Sequence, residues 1–552
     1  MKSEEFATAQ MNNHNPFYSW MPKPFGVLIL LLIFWPPSFS GGTYLGNISE
    51  MQGGLAIYSE SVQMGNYLVF VGMCLFVPFM ILYLKARRPK QVFLWGFTGL
   101  AVLNVVCATA QSVYVLFAAC LLMGFVRIMM MLNCTFTLAP YLTGFNTLDM
   151  LTVEVDPNGP VGQKQDKTRS MLMPLLYMYI LTIINMCNII VTRIAYNYSW
   201  QYAYYLEIGL LLTGMLVVLL TMKDEPTEQR EQSRINSGFA ESRRRKTEGQ
   251  PKKELFLMDW RRLPDMLLLG TSLVSLCYVM AYGKTFDWLS SHSIVLAIGI
   301  CLISAGLFLL LQIHRKGDAY LPLSIFRYRN VWVAALLFVL FVVMNSSSVL
   351  TTTYAHIASP ANDMQIGAQG RWSILGCVLG AMLAVGMVLK RVPMRIIFLV
   401  SFALMAVSNV LMYFTFQNET LLGQLALPIV LMNTGLIPLY ALVAAYGMKG
   451  LPNHLLASLL FIMILMRNAI APPVGSALYS NWLYQRQQYH EQRLIENYDA
   501  LNIITPSQIA TARRTVLIQS NLAAMKDITG KTIWLFLAIG IMVVVFPTRK
   551  EH

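Results

Sequence analysis

Four side chains in this sequence have types that could do chemistry inside otherwise apolar stretches. Glu60 and Glu207 are carboxylates and Arg127 and Arg467 are guanidinium groups, each set among Leu, Ile, Val, Met and Phe. A charge in hydrocarbon costs roughly 3 kcal/mol or more, so each needs a partner or a task. A carboxylate in partly dry surroundings resists ionisation and can exchange a proton near neutrality. A guanidinium beside it can hold the ionised form and release it when a proton or a cationic ligand arrives. Glu60 and Glu207 read as the only carboxylates available for such a proton site. The plainer alternatives are that Glu60 or Glu207 caps a helix end or pairs with Arg193, and that Arg467 joins its helix to a neighbour.

Other chemistries lack their equipment. The eight cysteines lie in apolar stretches with no CxxC pair, which is neither a disulfide framework nor a zinc site. The seven histidines fall in tails, loops and helix ends, with no HExxH. Neither cofactor nor metal is expected, an intramembrane metalloprotease is disfavoured, and clustered catalytic carboxylates are missing. No GxxxxGK[ST] run supports ATP-driven work.

The chain that must position these groups has 552 residues, of which 56% are hydrophobic and 12% charged, with mean hydropathy +0.54. A soluble chain carries about 25% charged residues. The deficit excludes a soluble enzyme, a disordered hub and a nucleic-acid binder, despite a net charge of +14. The composition predicts an all-α polytopic membrane protein with the lipid bilayer as its solvent. A crossing helix needs about 20 apolar residues. Fourteen such stretches occur, near 24–46, 60–84, 91–110, 114–140, 171–194, 200–222 and 264–282, then 293–312, 331–352, 373–390, 394–414, 421–446, 454–480 and 531–547. The first follows a long tail with Glu4 and Glu5, and reads as an uncleaved anchor.

Loop charge predicts orientation. Lys85, Arg87, Arg88 and Lys90 follow span two, and Lys164, Lys167 and Arg169 follow span four. Arg243 to Lys246 and Arg261-Arg262 follow span six, Arg315, Lys316, Arg327 and Arg329 span eight, and Lys390, Arg391 and Arg395 span ten. The short opposite loops hold little beyond Lys284 and Arg371. Excess base marks the cytoplasmic face, so both termini are expected there, in an inner (cytoplasmic) membrane. The expected divisions are a tail (1–23), an N-terminal six-helix bundle (24–222), a linker (223–263), two inserted helices (264–312), a C-terminal bundle (313–547) and a short tail (548–552). Residues 223–262 are charge-dense and read as a flexible linker, and 145–169 as a smaller cytoplasmic loop. On the opposite side, 481–530 reads as two short amphipathic helices, with Thr505-Pro506-Ser507 starting the second. They are expected to lie on the outer rim or to contact another protein.

Several motifs carry a resemblance. Gly283-Lys284, Asp287-Trp288-Leu289-Ser290-Ser291 and Leu321-Pro322-Leu323-Ser324-Ile325-Phe326-Arg327-Tyr328-Arg329-Asn330 flank span eight. This passage resembles that of the major facilitator superfamily, in its fourteen-helix drug:proton antiporter branch, the EmrB/QacA type. Ser199-Trp200-Gln201-Tyr202 is similar to that branch's start of span six, and Arg127 to its span-four arginine. Met466-Arg467-Asn468 with Gly475-Ser476-Ala477, and the long loop after them, also match. The family's acidic gating loop after span two is reduced to Leu84-Lys85-Ala86-Arg87-Arg88-Pro89-Lys90, and its Gly-Pro motif is absent near Ile184-Asn185-Met186.

The resemblance implies the major facilitator fold, two six-helix bundles with spans seven and eight inserted, and alternating access to a midplane site. It implies secondary transport of a small amphiphilic substrate, with proton-coupled export leading. A specific endogenous metabolite, moved in or out, and a non-transporting sensor on the same scaffold stay open. Glu60, Glu207 and Arg127 are the proton-coupling candidates. Trp35 and Tyr44 flank Pro36-Pro37 and Gly41-Gly42, and broken backbone at membrane depth must be buried or line a cavity. With Asn185, Asn188, Asn345 and Arg467 they are the substrate-binding candidates, although interhelical hydrogen bonding explains the asparagines equally well. Relatives in double-membraned bacteria imply a periplasmic adaptor and an outer-membrane channel as partners, reached through 481–530.

Overall fold

A computed structural model describes residues 16–18, 20–79, 88–143, 160–223, 263–315, 321–359, 363–417, 421–448, 451, 455–498 and 506–545. Among these the chain is helical apart from one isolated antiparallel bridge, Phe17 to Met222. Each expected span falls mainly on helix among the described residues, span one losing its helix after Phe39. Spans one to six are Lys23–Phe39, Ser59–Phe76, Pro89–Thr109, Val113–Thr143, Pro160–Asn197 and Gln201–Thr221. Spans seven and eight are Leu263–Tyr282 and His292–His314. Span nine is Arg329–Asn345 continued by Ser348–Ala358, and spans ten to twelve are Gly370–Leu389, Met394–Thr415 and Ala426–Met448. Span thirteen runs through Leu456–Ile464, a π-helical turn Leu465–Ile470 and Ala471–Tyr498, and span fourteen is Pro506–Val545.

Eleven helices among the described residues are long and apolar enough to cross a bilayer. The helices of spans one, two and fourteen are not among them, so length and apolarity alone support eleven crossings rather than fourteen. Span one falls short because its helix stops after 17 residues.

Packing explains the arrangement. In lipid every backbone group must be satisfied within its own helix, and close helix contact then depends on small residues. Spans two and four pack where Gly72 faces the backbone of Leu121 and Gly124 faces the backbone of Val69, with no room for a Cβ at either. Span six packs on span three, and span one on spans four, five and six. In the second half, span twelve packs on spans nine, ten and eleven, and span fourteen on spans eleven and thirteen. The halves meet where span five lies on spans ten and twelve and where span two meets the π-helical turn of span thirteen. Span seven packs on span two and on span thirteen, and span eight packs on span seven. Leu296, Leu302, Ile303 and Leu310 on span eight stay exposed, as expected for a lipid-facing surface.

Three expectations need correction. The apolar crossing of span five starts at Leu172, as expected, but its helix begins at Pro160, so residues 160–169 of the expected loop are helical, proline being tolerated at the first helical position. The 481–530 segment is two helices, the second starting at Pro506 as expected, but they are not short separate helices. They continue spans thirteen and fourteen as a helical hairpin, with residues 499–505 outside the described set. Pro506–Val545 has 40 residues, about 60 Å of helix, twice the hydrocarbon thickness. Finally, Asp265 is a further buried carboxylate, at the first turn of span seven. The linker at 224–262, the loop residues 80–87 and 144–159, and the tails 1–15 and 546–552 lie outside the described residues.

Candidate functional site

The local chemistry of span one creates the first site. Pro36 and Pro37 lie inside its last turn, and the helix ends at Phe39 with Ser40 N–H donating to the Pro36 carbonyl at 3.1 Å. The chain then crosses the bundle interior without helix until a 3-10 turn at Leu45–Asn47. Gly42 has φ +68°, and a Cβ there would lie 2.8 Å from Cys120 Sγ, so only glycine fits without strain. Side chains satisfy the freed backbone groups. Arg127 Nη2 donates to the Ser38 carbonyl at 2.9 Å and Tyr204 Oη to the Gly42 carbonyl at 2.6 Å. Thr43 Oγ1 donates to the Val62 carbonyl at 3.0 Å.

Glu207 sits inside this break, with its side chain fully buried. Tyr44 Oη donates to its Oε2, while Oε1 has no hydrogen-bond partner among the described residues. Ser40 and Asn104 flank the carboxylate, and Asn104 Nδ2 donates to Ser40 Oγ at 3.3 Å. Arg127 is near enough to act on Glu207 electrostatically, without a direct salt bridge between them among the described residues. Spans one, three, four and six thus converge on one carboxylate, and span five adds Cys187, whose thiol lies 3.6 Å from the Phe39 carbonyl. A buried acid with one donor and one bare oxygen is incompletely satisfied as an anion. As a neutral acid it needs less, so the arrangement can take a proton in place of a partner.

The structure brings Glu207, Arg127 and Tyr44 together but places Glu60 elsewhere. Glu60 is in the first turn of span two, only partly buried, and accepts from Ser59 Oγ at 3.0 Å and from Thr285 Oγ1 at 2.9 Å. That is the helix-end role, in the loop contact between spans two and seven. Arg193 is exposed at the end of span five.

Arg467 forms a second centre at the meeting of the halves. It lies in the π-helical turn of span thirteen, a helix irregularity frequent at functional sites. Its Cζ is 4.9 Å from the Tyr177 ring of span five and 4.8 Å from the Tyr440 ring of span twelve. The two rings stack with centroids 5.8 Å apart and an 18° interplanar angle, and Phe341 of span nine meets Tyr440 edge-on at 5.0 Å.

The remaining candidates are less engaged. Trp35 is partly buried and its indole Nε1 has no partner among the described residues. Asn185 Nδ2 bonds back to the Leu181 carbonyl at 2.8 Å, and the Asn188 carbonyl accepts from Thr192 Oγ1 at 2.7 Å. Both asparagines lie along span five, and Gly370 of span ten approaches the Asn185 carbonyl. Asn345 ends the first helix of span nine, beside Ser346, which packs against Gly475 of span thirteen.

The chain is similar to a solved peptide transporter POT in complex with sulfate, with 13% identity and TM-score 0.52, over 97% of this chain and 98% of that one. It is also similar to the nucleoside transporter NupG, with 12% identity and TM-score 0.50, over 94% of this chain and 99% of that one. The fold is that of the major facilitator superfamily. At such low identity the likeness carries the fold alone. No family model and no curated protein matches the sequence. Within this fold the pairing of span five with span ten, and of span two with span thirteen, is the seam between the two bundles.

Asn104, Ser40, Tyr204, Tyr177 and Tyr440 were absent from the sequence-derived candidates. Asn104 carries a usable signal, an amide in an apolar stretch. The tyrosines carry none, since aromatic residues are ordinary in membrane helices.

Proposed function

We propose that this multi-pass membrane protein is a secondary active transporter working by alternating access, and that Glu207 carries the coupling proton. The observation that supports this reading is the fully buried Glu207 carboxylate facing Tyr44 and Arg127 at the break in span one. Protonation removes the charge that Tyr44 and Arg127 hold in place, and frees the 40–44 segment to repack. Deprotonation restores the contacts. Span one therefore links the proton to the movement of its bundle. The motif resemblance supports proton-driven export of amphiphilic organic compounds from the cytoplasm, with both termini cytoplasmic and the protein in the inner membrane. The hairpin beyond spans thirteen and fourteen is the proposed contact for a periplasmic adaptor leading to an outer-membrane channel.

The test is substrate-triggered proton movement in proteoliposomes under an imposed pH gradient. Wild type is expected to dissipate the gradient when an amphiphilic compound is added. Demonstrable binding with no proton movement for any compound would sink the proton-coupled reading.

A further inference from the structure

The charges inside the spans differ in how they are compensated. Arg127 has Glu207 as its electrostatic partner, and Arg315 at the end of span eight pairs with buried Asp265 of span seven at 2.6 Å. Arg467 has no carboxylate partner among the described residues, and its recorded contacts are the rings of Tyr177 and Tyr440. A cation–π contact draws on the ring quadrupole and leaves the positive charge uncancelled. Planar guanidinium donors suit carboxylate, sulfonate and phosphate groups, which they bind in bidentate fashion. Arg467 is only partly buried, so it is not sealed by packing. The Tyr177 and Tyr440 rings beside it, with buried Phe341 and Phe338 packed behind Tyr440, suit an apolar or aromatic body. The three elements that carry Arg467 and the two tyrosines come from both bundles, so an occupant would touch both at once.

We propose that Arg467, Tyr177 and Tyr440 form the binding site for an amphiphilic organic anion, the guanidinium taking the acidic group and the rings the apolar body. This inference rests on the transporter reading, because it names the substrate class for the seam between the bundles. It favours anions over the cations that a carboxylate-lined cavity would select, since the buried Glu207 lies inside the first bundle.

The test measures binding of naphthylacetate and cholate to the purified protein in nanodiscs, beside the uncharged amide and the amine of the same bodies. The anions are expected to bind about tenfold or more tighter than their amides, the scale of a charge-assisted hydrogen bond. Arg467→Gln is expected to erase that preference and Arg467→Lys to retain part of it. If Arg467→Gln does not give a monodisperse protein, Tyr440→Leu serves instead, with weaker naphthylacetate binding expected while the charge stays. Equal binding of anion and amide by wild type, or an unchanged preference in the variants, overturns the inference. Flux of the same probes separates the two claims. Arg467-dependent anion binding without flux upholds the site and defeats transport, whereas flux of amines with no anion binding upholds transport and defeats the site.

Discussion

Tyr44 and Glu207, 163 residues apart in the chain, are joined by a hydrogen bond inside the first bundle. The bond ties the non-helical end of span one to span six at a place sealed from solvent. Tyr44→Phe removes the hydroxyl that donates to Oε2 while preserving the ring. The expected result is a loss of about 1–3 kcal/mol in stability, with a lower melting temperature in detergent and a proton dependence shifted relative to wild type. An unchanged melting curve would show that the bond is not maintained.

Glu207 and Glu60 are the same residue type with opposite expected outcomes. Glu207→Ala removes the buried acceptor of the Tyr44 hydroxyl, which is expected to cost about 1–3 kcal/mol. Glu60→Gln removes a partly exposed helix-end acid, and its effect is expected within about 1 kcal/mol. Paired thermal unfolding of the two variants checks this, and equal losses would contradict it.

An ion pair joins spans seven and eight, and their connecting loop is tied to span thirteen. Asp265 is fully buried and pairs with Arg315, so Arg315→Ala is expected to destabilise by about 1.5–3 kcal/mol by removing a charged hydrogen bond to the carboxylate. In the connecting loop, Asp287 and Trp288 have φ of 53° and 50°, and Trp288 Nε1 donates to Asn481 Oδ1 of span thirteen at 3.2 Å. Trp288→Phe loses that donor and is expected to cost about 1 kcal/mol. Differential scanning fluorimetry ranks the two variants, and the reverse order would argue against the buried pair.

Between spans one and two, Glu50 in the helix Ile48–Leu55 has its carboxyl raised above the ordinary value of 4.5, first by burial and then by nearby Asp363. A carboxylate raised in the folded state gives stability that is present at low pH and lost as pH rises through the raised value. Hydrogen-exchange protection of residues 48–55, relative to the intrinsic base-catalysed rate, is expected to fall from pH 4.5 towards neutrality, and Glu50→Gln to flatten that change. Protection that rises with pH would reverse the assignment.

The hairpin beyond spans thirteen and fourteen is held by His490 Nε2 and Asp527 Oδ2 at 2.9 Å and by Lys531 over the Trp482 ring at 5.5 Å. Removing residues 485–525 is expected to leave proteoliposome transport intact and to abolish adaptor pull-down. Unchanged pull-down would exclude the hairpin as the docking surface.

Apolar run length made the spans legible, because hydrocarbon allows no unsatisfied backbone. The hairpin was harder, since residues 481–530 are polar enough to look like a separate loop, and continuity with the spans depends on packing of one helix against the other. Arg127, Glu207 and Arg467 stood out as charges in apolar surroundings. Their partners did not, because Tyr44 and Tyr440 reach them only through contacts distant in the chain. Asp265 was hidden by its place at a helix start, where an acid ordinarily serves the helix dipole.

The central claim is that Glu207 couples proton and substrate, and Glu207→Gln in proteoliposomes tests it most directly. Glutamine keeps the size and an acceptor for Tyr44 but cannot exchange a proton. The account predicts that the variant still exchanges labelled substrate against unlabelled substrate across the membrane, yet no longer responds to a pH gradient. Wild-type gradient-driven flux in Glu207→Gln would contradict it.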